Sequence, residues 1–195
     1  FHRDYWLDKT SDFPDAVRQF GVHSLALVYK FNFPDNIYYQ NLKIKDWAIS
    51  GLLYWSKIQH SDGSFDEFYP YERGWVGPTA FTCFTIIESY CILKNEIWEE
   101  DSSIILNAIK KAAYFIAEGE SEEDHLANHH AMACLSVWKA YELLCDEKLK
   151  EGKKLWAISL KNNNPEILLK AVERVISSQS YLPTLTDLIK ACNEI

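Results

Sequence analysis

Apolar residues return at intervals of three and four through most of the first 150 residues of this 195-residue chain. That period sets them along one face of an α-helix, so the chain is expected to fold as a nearly all-helical protein. A first helix is expected behind Pro14, which a first helical turn tolerates, with Val17, Phe20, His23, Leu25 and Val28 carrying it to Phe31. A second runs from about Lys43 to Gln59 on Trp47, Gly51, Tyr54, Trp55 and Ile58, an aromatic face. A third starts at Pro78 and reaches about Lys94 through Phe81, Phe84, Ile87 and Cys91. Asp101 or Ser102 caps a fourth on Ile105, Ile109, Ala112 and Ile116, and the third and fourth are expected to pack as a hairpin. After the acidic stretch Glu118 to Asp124, a fifth helix from about His125 to Leu144 sets Ala127, His130, Ala131, Cys134, Trp138 and Tyr141 on one face.

The periodicity breaks for one long stretch. Residues 60–77 read HSDGSFDEFYPYERGWVG, hold three of the chain's seven glycines together with Pro70, and turn at Asp62-Gly63. Long loops in compact domains are usually functional. This one gathers His60, Asp62, Asp66, Glu67, Tyr69, Tyr71, Glu72, Arg73 and Trp75 just ahead of the third helix. Aromatic faces stack on sugar rings while carboxylates and a guanidinium bond hydroxyls or carboxylates, so the mixture suits a glycan cleft. The same aromatics could instead cover the core between helices.

A second collection, Asn128-His129-His130, stands near the start of the fifth helix. Imidazole can act as a base near neutral pH, and an amide can polarise a carboxylate or carbonyl. His130 is expected to face inward as a hydrogen-bonded core residue, leaving Asn128 and His129 to look into a cleft. His125 and His129 lie one turn apart, a metal-compatible spacing, but the glutamate of the H-E-x-x-H motif is missing, so neither a metal nor another cofactor is expected.

Composition narrows the partners. Twenty Lys+Arg against 28 Asp+Glu leave a net charge of −8, which disfavours broad capture of nucleic acid or of anionic lipid. Cys83, Cys91, Cys134, Cys145 and Cys192 are odd in number and form no C-x-x-C pair, so they are expected to be small buried hydrophobes in a reducing compartment. Even the stretch from Phe81 to Leu93 is broken by Glu88. No apolar run of about 18 residues is therefore expected to cross a membrane, no signal peptide opens the chain, and the expected location is cytoplasmic. The chain starts at Phe1 rather than Met, which leaves a removed leader open.

Trp55, the run Gln59-His60-Ser61-Asp62-Gly63-Ser64-Phe65-Asp66-Glu67, then Tyr71-Glu72, Thr79-Ala80-Phe81 and Leu126-Ala127-Asn128-His129-His130-Ala131-Met132-Ala133 resemble α/α-toroid proteins of the heparinase and alginate-lyase kind and their relatives in polysaccharide gene clusters. The resemblance covers residues 1 to about 150. It implies antiparallel helical hairpins forming part of an α/α toroid, and a lyase or hydrolase acting on a uronate-containing glycan. By resemblance, Asn128 would neutralise the uronate carboxylate, His129 would remove the proton beside it, and Tyr69 or Tyr71 would protonate the leaving oxygen. His60, Asp62, Asp66, Glu67, Glu72, Arg73 and Trp75 would bind the substrate. In a hydrolase Asp66 or Glu67 would serve instead, facing a second carboxyl group roughly 5 to 9.5 Å away.

The texture changes past Asp146. Lys148 to Lys154 is charged, Asn162-Asn163-Asn164-Pro165 breaks any helix, and a boundary near residue 150 separates a small helical module over 151–195. Lys154-Leu155-Trp156, Ala171-Val172-Glu173-Arg174-Val175, Tyr181-Leu182-Pro183-Thr184-Leu185-Thr186-Asp187-Leu188 and Cys192 resemble a module of phage-type replicative helicase loaders. This second resemblance implies an alternative: a non-catalytic helical interaction module that binds a replicative helicase through residues 155–195.

Overall fold

The computed structural model describes residues 16–66, 76–119 and 127–151; within the last span, the side chains of Ala127, Asn128, His130, Lys150 and Glu151 lie outside the description. Among the described residues every regular element is helical and no strand occurs. A 3-10 turn at Val17–Phe20 leads into α1 (Gly21–Lys30), followed by α2 (Leu42–Ile58) and α3 (Val76–Leu93). A second 3-10 turn (Lys94–Glu96) precedes α4 (Glu99–Glu118), α5 (Ala127–Leu144) and the short α6 (Glu147–Glu151). The expected module at 151–195 lies almost wholly outside the described residues.

Local chemistry sets the helix starts. Asn41 has extended backbone and its side chain accepts from the Lys43 N–H at 3.0 Å, an N-cap that opens α2. The buried row of α2 is Ile44, Ala48, Leu52 and Trp55. Trp47 and Tyr54, expected on the same face, are 52% and 42% exposed. Trp47 stands one residue before Ala48, about 100° round the helix from that row, so the aromatic face divides between core and surface.

The third helix begins at Val76 rather than Pro78, which leaves Pro78 in a first turn that needs no N–H from it. It is buried almost all round: besides Ile87, its core positions include Ala80, Thr82, Cys83, Ile86, Ser89, Tyr90 and Leu93, whereas Cys91 is exposed. The extra length also corrects the membrane reading. Val76–Glu96 is long and apolar enough to cross a bilayer by length and composition, and 67% of its apolar window is buried among the other helices. A central helix packed on several sides is apolar for that reason alone.

The start of α4 is likewise earlier than expected. Trp98 is the N-cap, with no side-chain capping bond, and Glu99, Glu100 and Asp101 fill the first turn, where the helix dipole favours acids. Ser102 is no cap; its Oγ lies 2.6 Å from the Tyr90 hydroxyl. Ile105, Ile109, Ala112 and Ile116 are all buried, as their spacing predicts. Among the described side chains of α5 the buried positions are Ser136, Val137 and Ala140, while Trp138, expected inside, is 42% exposed and donates its indole N–H to Glu142 at 2.6 Å.

Contacts at the helix ends give the relative directions. Val22 packs on Gly51, and at the other end of the pair the Gln40 N–H donates to the Tyr29 carbonyl, so α1 and α2 run in opposite senses. Val76 meets Gly119 while Tyr90 meets Ser102, so α3 and α4 do the same. Along α1 and α3 the pairs step together: His23 Nδ1 is 3.4 Å from Ser89 Oγ, and Tyr29 and Lys30 both bond Glu96 just past the end of α3. The Tyr29 phenol, donating to that carboxylate, is pushed up to about 12. Ser136 Oγ donates to the Ala80 carbonyl at 2.6 Å and Lys139 reaches Glu88 at 3.4 Å, so α5 also runs with α3. Gln59, at the end of α2, donates to the Ala108 carbonyl of α4 at 2.9 Å. The helices α1, α3 and α5 thus lie side by side, with α2 and α4 in contact behind them.

The described cysteines are free thiols, but only Cys83 fits the expected small buried hydrophobe; Cys91 and Cys145 are exposed and Cys134 is half-buried. Burial pushes the thiols of Cys83 and Cys134 up to about 12.

Candidate functional site

The chain leaves α2 at Gln59 and reverses within four residues. The His60 N–H donates to the Ser64 carbonyl and the Gly63 N–H to the His60 carbonyl, both at 3.0 Å. Asp62 Oδ1 accepts from the Ser64 N–H at 3.0 Å and from its hydroxyl at 2.7 Å, a side-chain turn of the kind aspartate favours. Gly63 takes φ +95°, and its α-carbon packs so close to α4 that a Cβ would stand 2.4 Å from the Lys111 carbonyl oxygen. The Gln59 amide fastens the turn from outside by donating to the carbonyls of Gly63 (3.1 Å) and Ala108.

Beyond the turn the chain dives into the core. Phe65 is 1% exposed and stacks on Trp55 with centroids 4.3 Å apart and planes at 21°. The Trp55 indole N–H donates to Thr82 Oγ1 at 3.1 Å, and that hydroxyl donates to the Pro78 carbonyl at 2.8 Å. The Phe65 N–H donates to Thr79 Oγ1 at 3.2 Å. Buried Thr79 and Thr82 dock the turn and Trp55 onto the start of α3, while buried Ser64 bonds within the turn. The sequence reading missed it as a network, although Trp55, Ser64, Phe65 and Thr79 all stand in the motif that carries the toroid resemblance.

Two of the expected site residues become a pair. His60 Nε2 lies 2.8 Å from Asp66 Oδ1, and both side chains are largely buried, at 15% and 9% exposed. The Asp66 carbonyl also accepts from the Ala16 N–H at 3.2 Å, which pins the residue between the start of the described chain and α3. A carboxylate bonded to Nε2 fixes the orientation of the imidazole ring. Asp62, the third expected residue here, is exposed and its carboxylate shapes the turn.

From the other side comes His129. Its ring is half-buried and meets Phe81 edge-on, with centroids 5.5 Å apart and planes at 77°. His129 therefore leans on the first turns of α3 at Phe81, about 200° round the helix from the Thr79 that receives the loop, so the two meet different faces of α3. Asn128 follows the same backbone helix, with its side chain outside the described residues. Tyr69, Tyr71, Glu67, Glu72, Arg73 and Trp75 also lie outside them, as does His125. Among the described residues no cluster of three metal-ligating side chains occurs. Of the expected residues, then, His60 and Asp66 are bonded to each other, and His129 reaches the same end of α3. No family model, curated protein or solved structure matches this chain.

Proposed function

We propose that the chain is part of an α/α toroid that processes a uronate-containing glycan at the end of the helix row where α3 begins. One observation carries this reading: the His60–Asp66 turn and the His129 ring both reach the first turns of α3, through Thr79 and Phe81 respectively, and so flank that helix end from two sides. Two histidines at one end of the row, His60 in the turn after α2 and His129 on α5, are suited to meet an anionic sugar. The helix directions support the architecture, because α1, α3 and α5 run together while α2 and α4 return behind them, the succession from which a toroid of antiparallel hairpins is built.

In the lyase form of this function, Asn128 donates its amide to the uronate carboxylate, which lowers the cost of charge building there. His129 takes the proton from the carbon beside that carboxylate, the glycosidic carbon–oxygen bond at the next carbon breaks as a double bond forms between the two carbons, and Tyr69 or Tyr71 gives its proton to the leaving oxygen. His60, oriented by Asp66, binds the substrate beside them.

The test is depolymerisation of a panel of uronate glycans, followed by ultraviolet absorbance of the unsaturated product, for the chain and for His129→Ala. The expected result is a rise in absorbance that the substitution lowers by at least about a hundredfold, the usual share of a general base. Equal rates for the two proteins would remove His129 from the chemistry, and silence across the panel would end the lyase reading.

A further inference from the structure

The far end of the helix row carries a surface that the site above does not use. Residues 31–42, between α1 and α2, expose Phe31 (52%), Phe33 (47%), Ile37 (78%), Tyr38 (45%), Tyr39 (40%) and Leu42 (64%). At about 150–250 Å² for a large side chain, those fractions amount to roughly 500–800 Å² on apolar and aromatic residues of one loop. The largest apolar patch on a typical monomer covers about 300–600 Å², and each partner in a standard interface contributes about 800 Å². The surface is therefore large for one left in water and close to what an interface needs. The loop is also tightly built. The Asn36 amide donates to the carbonyls of Val28 (2.7 Å) and Phe31 (2.8 Å) while its oxygen accepts from the Tyr38 N–H (3.0 Å). Its side chains are thus held in place before any partner arrives, which reduces the ordering that association must impose.

Charge decides what can cover it. Asp35 in the loop and Lys43, Lys45 and Asp46 in the first turns of α2 cancel one another, on a chain whose net charge is −8. Lys45 is already drawn to Glu96, and Asp46 acts on the Tyr29 hydroxyl. Asp35 and Lys43 remain, and neither has an ion-pair partner within 4 Å among the described residues. A strongly acidic or strongly basic partner finds no excess of opposite charge here. One acid and one base are complementary to themselves, because under a two-fold axis the acid of each copy can meet the base of the other. Shape agrees with charge. A hollow of about 460 Å³, lined by Asn32, Phe33, Pro34, Asp35, Asn36 and Ile37, adjoins the Ile37 side chain, the most exposed of the six apolar ones, so the patch holds both a projection and a recess.

We propose that residues 31–42 form the interface of a symmetric dimer, in which each copy's patch covers the other's. The two His60 turns then stand away from the interface, since α2, 17 residues or about 25 Å long, runs between the patch and that turn. The dimer is independent of the glycan reading, and the failure of either leaves the other standing.

The experiment is sedimentation of the whole chain from about 1 to about 200 µM, a range that spans the weaker end of affinities found for interfaces of this size. Wild type is compared with Ile37→Glu, with Phe33→Ala/Leu42→Ala and with Trp98→Ala, and thermal melting is run beside it. Trp98, 82% exposed at the start of α4, tests whether any exposed ring would serve. Wild type is expected to be a dimer that dissociates on dilution, and Trp98→Ala to match it. Ile37→Glu, which sets like charges against each other in the contact, is expected to stay monomeric throughout. The double alanine variant is expected to weaken the dimer about tenfold or more. At dilutions where wild type is monomeric, all four proteins are expected to melt together. A wild type that is monomeric at the highest concentration overturns the proposal, as does a dimer that survives both patch variants or that Trp98→Ala dissolves. Assembly that continues past the dimer overturns the two-fold contact. Lower melting of the patch variants in the dilute monomer also overturns it, since another part of the same chain would then cover the patch.

Discussion

Trp55→Ala is expected to lower the stability of the protein by about 3–5 kcal/mol, the usual cost of removing a large aromatic ring from a packed core. Trp55 is wholly buried, lies 4.3 Å from the Phe65 ring, and gives its indole N–H to Thr82. Its loss opens a cavity where α2, the turn and α3 meet, so the remaining structure cannot close it by moving one side chain. Trp55→Phe separates the contributions. It keeps much of the stacking surface and loses the hydrogen bond together with part of the ring, so it should cost less than alanine but still more than the ~1 kcal/mol typical of a hydrogen bond alone. Urea unfolding monitored by circular dichroism measures both. A cost below about 1 kcal/mol for the alanine variant would mean that the ring does not lock the turn to the core. A domain this size has only about 5–15 kcal/mol of stability in hand, so the variant should also be visibly more susceptible to protease.

Gly63→Ala is expected to be at least as damaging, for a different reason. A Cβ at this position would come within 2.4 Å of the Lys111 carbonyl oxygen and 2.8 Å of its carbon, and both atoms belong to the backbone of α4. Backbone in a helix cannot step aside as a side-chain tip can. The φ of +95° adds a conformational penalty of about 1–3 kcal/mol for any L residue. Together these should cost about 3 kcal/mol or more and disturb the pairing of His60 with Asp66, which the turn brings together. Gly63→Asn discriminates the two causes. Asparagine tolerates left-handed backbone better than alanine, so it would recover much of the loss if conformation alone mattered. The close approach to α4 predicts that it recovers little, and an asparagine variant as stable as wild type would contradict that packing.

Much of the helix order was readable because period does not depend on partners. The stripe Ile105, Ile109, Ala112 and Ile116 could be assigned from spacing alone, since α4 buries a single face. The reading failed where a helix is packed on several sides or carries aromatics at its edge. The burial of α3 all round erases the period, and Trp47, Tyr54 and Trp138 sit beside buried rows rather than in them. The third helix starts two residues before Pro78, and the cap of the fourth lies three or four residues before Asp101 or Ser102. Proline is comfortable inside a first turn, and α4 takes its start at Trp98 without a side-chain cap, a signal that no capping residue announces.

The candidate site was legible as a list of polar residues and not as an arrangement. Nothing in the spacing of His60 and Asp66 says that a turn through Gly63 folds one carboxylate back onto one imidazole, and Asp62, equally polar, is spent on shaping that turn. The hidden part is the hydroxyl set. Ser64, Thr79, Thr82 and Ser136 look like ordinary helix or loop residues in a sequence, yet Ser64 closes the turn, Thr79 and Thr82 fasten the turn and Trp55 to α3, and Ser136 fastens α5 to it. Short polar side chains reveal such a role only when the groups they satisfy are in place.

The claim at the centre of this account is that the His60 turn and the start of α5 face one ligand at one end of the helix row. Its most direct test is the nuclear magnetic resonance of the histidine ring protons during titration with a short uronate oligosaccharide, with His60→Ala and His129→Ala supplying the assignments. The account predicts that the His60 and His129 signals shift together, with the same midpoint, while His23 on α1 stays in place. Movement of only one of the two, or of neither at concentrations where the sugar is bound, would contradict it.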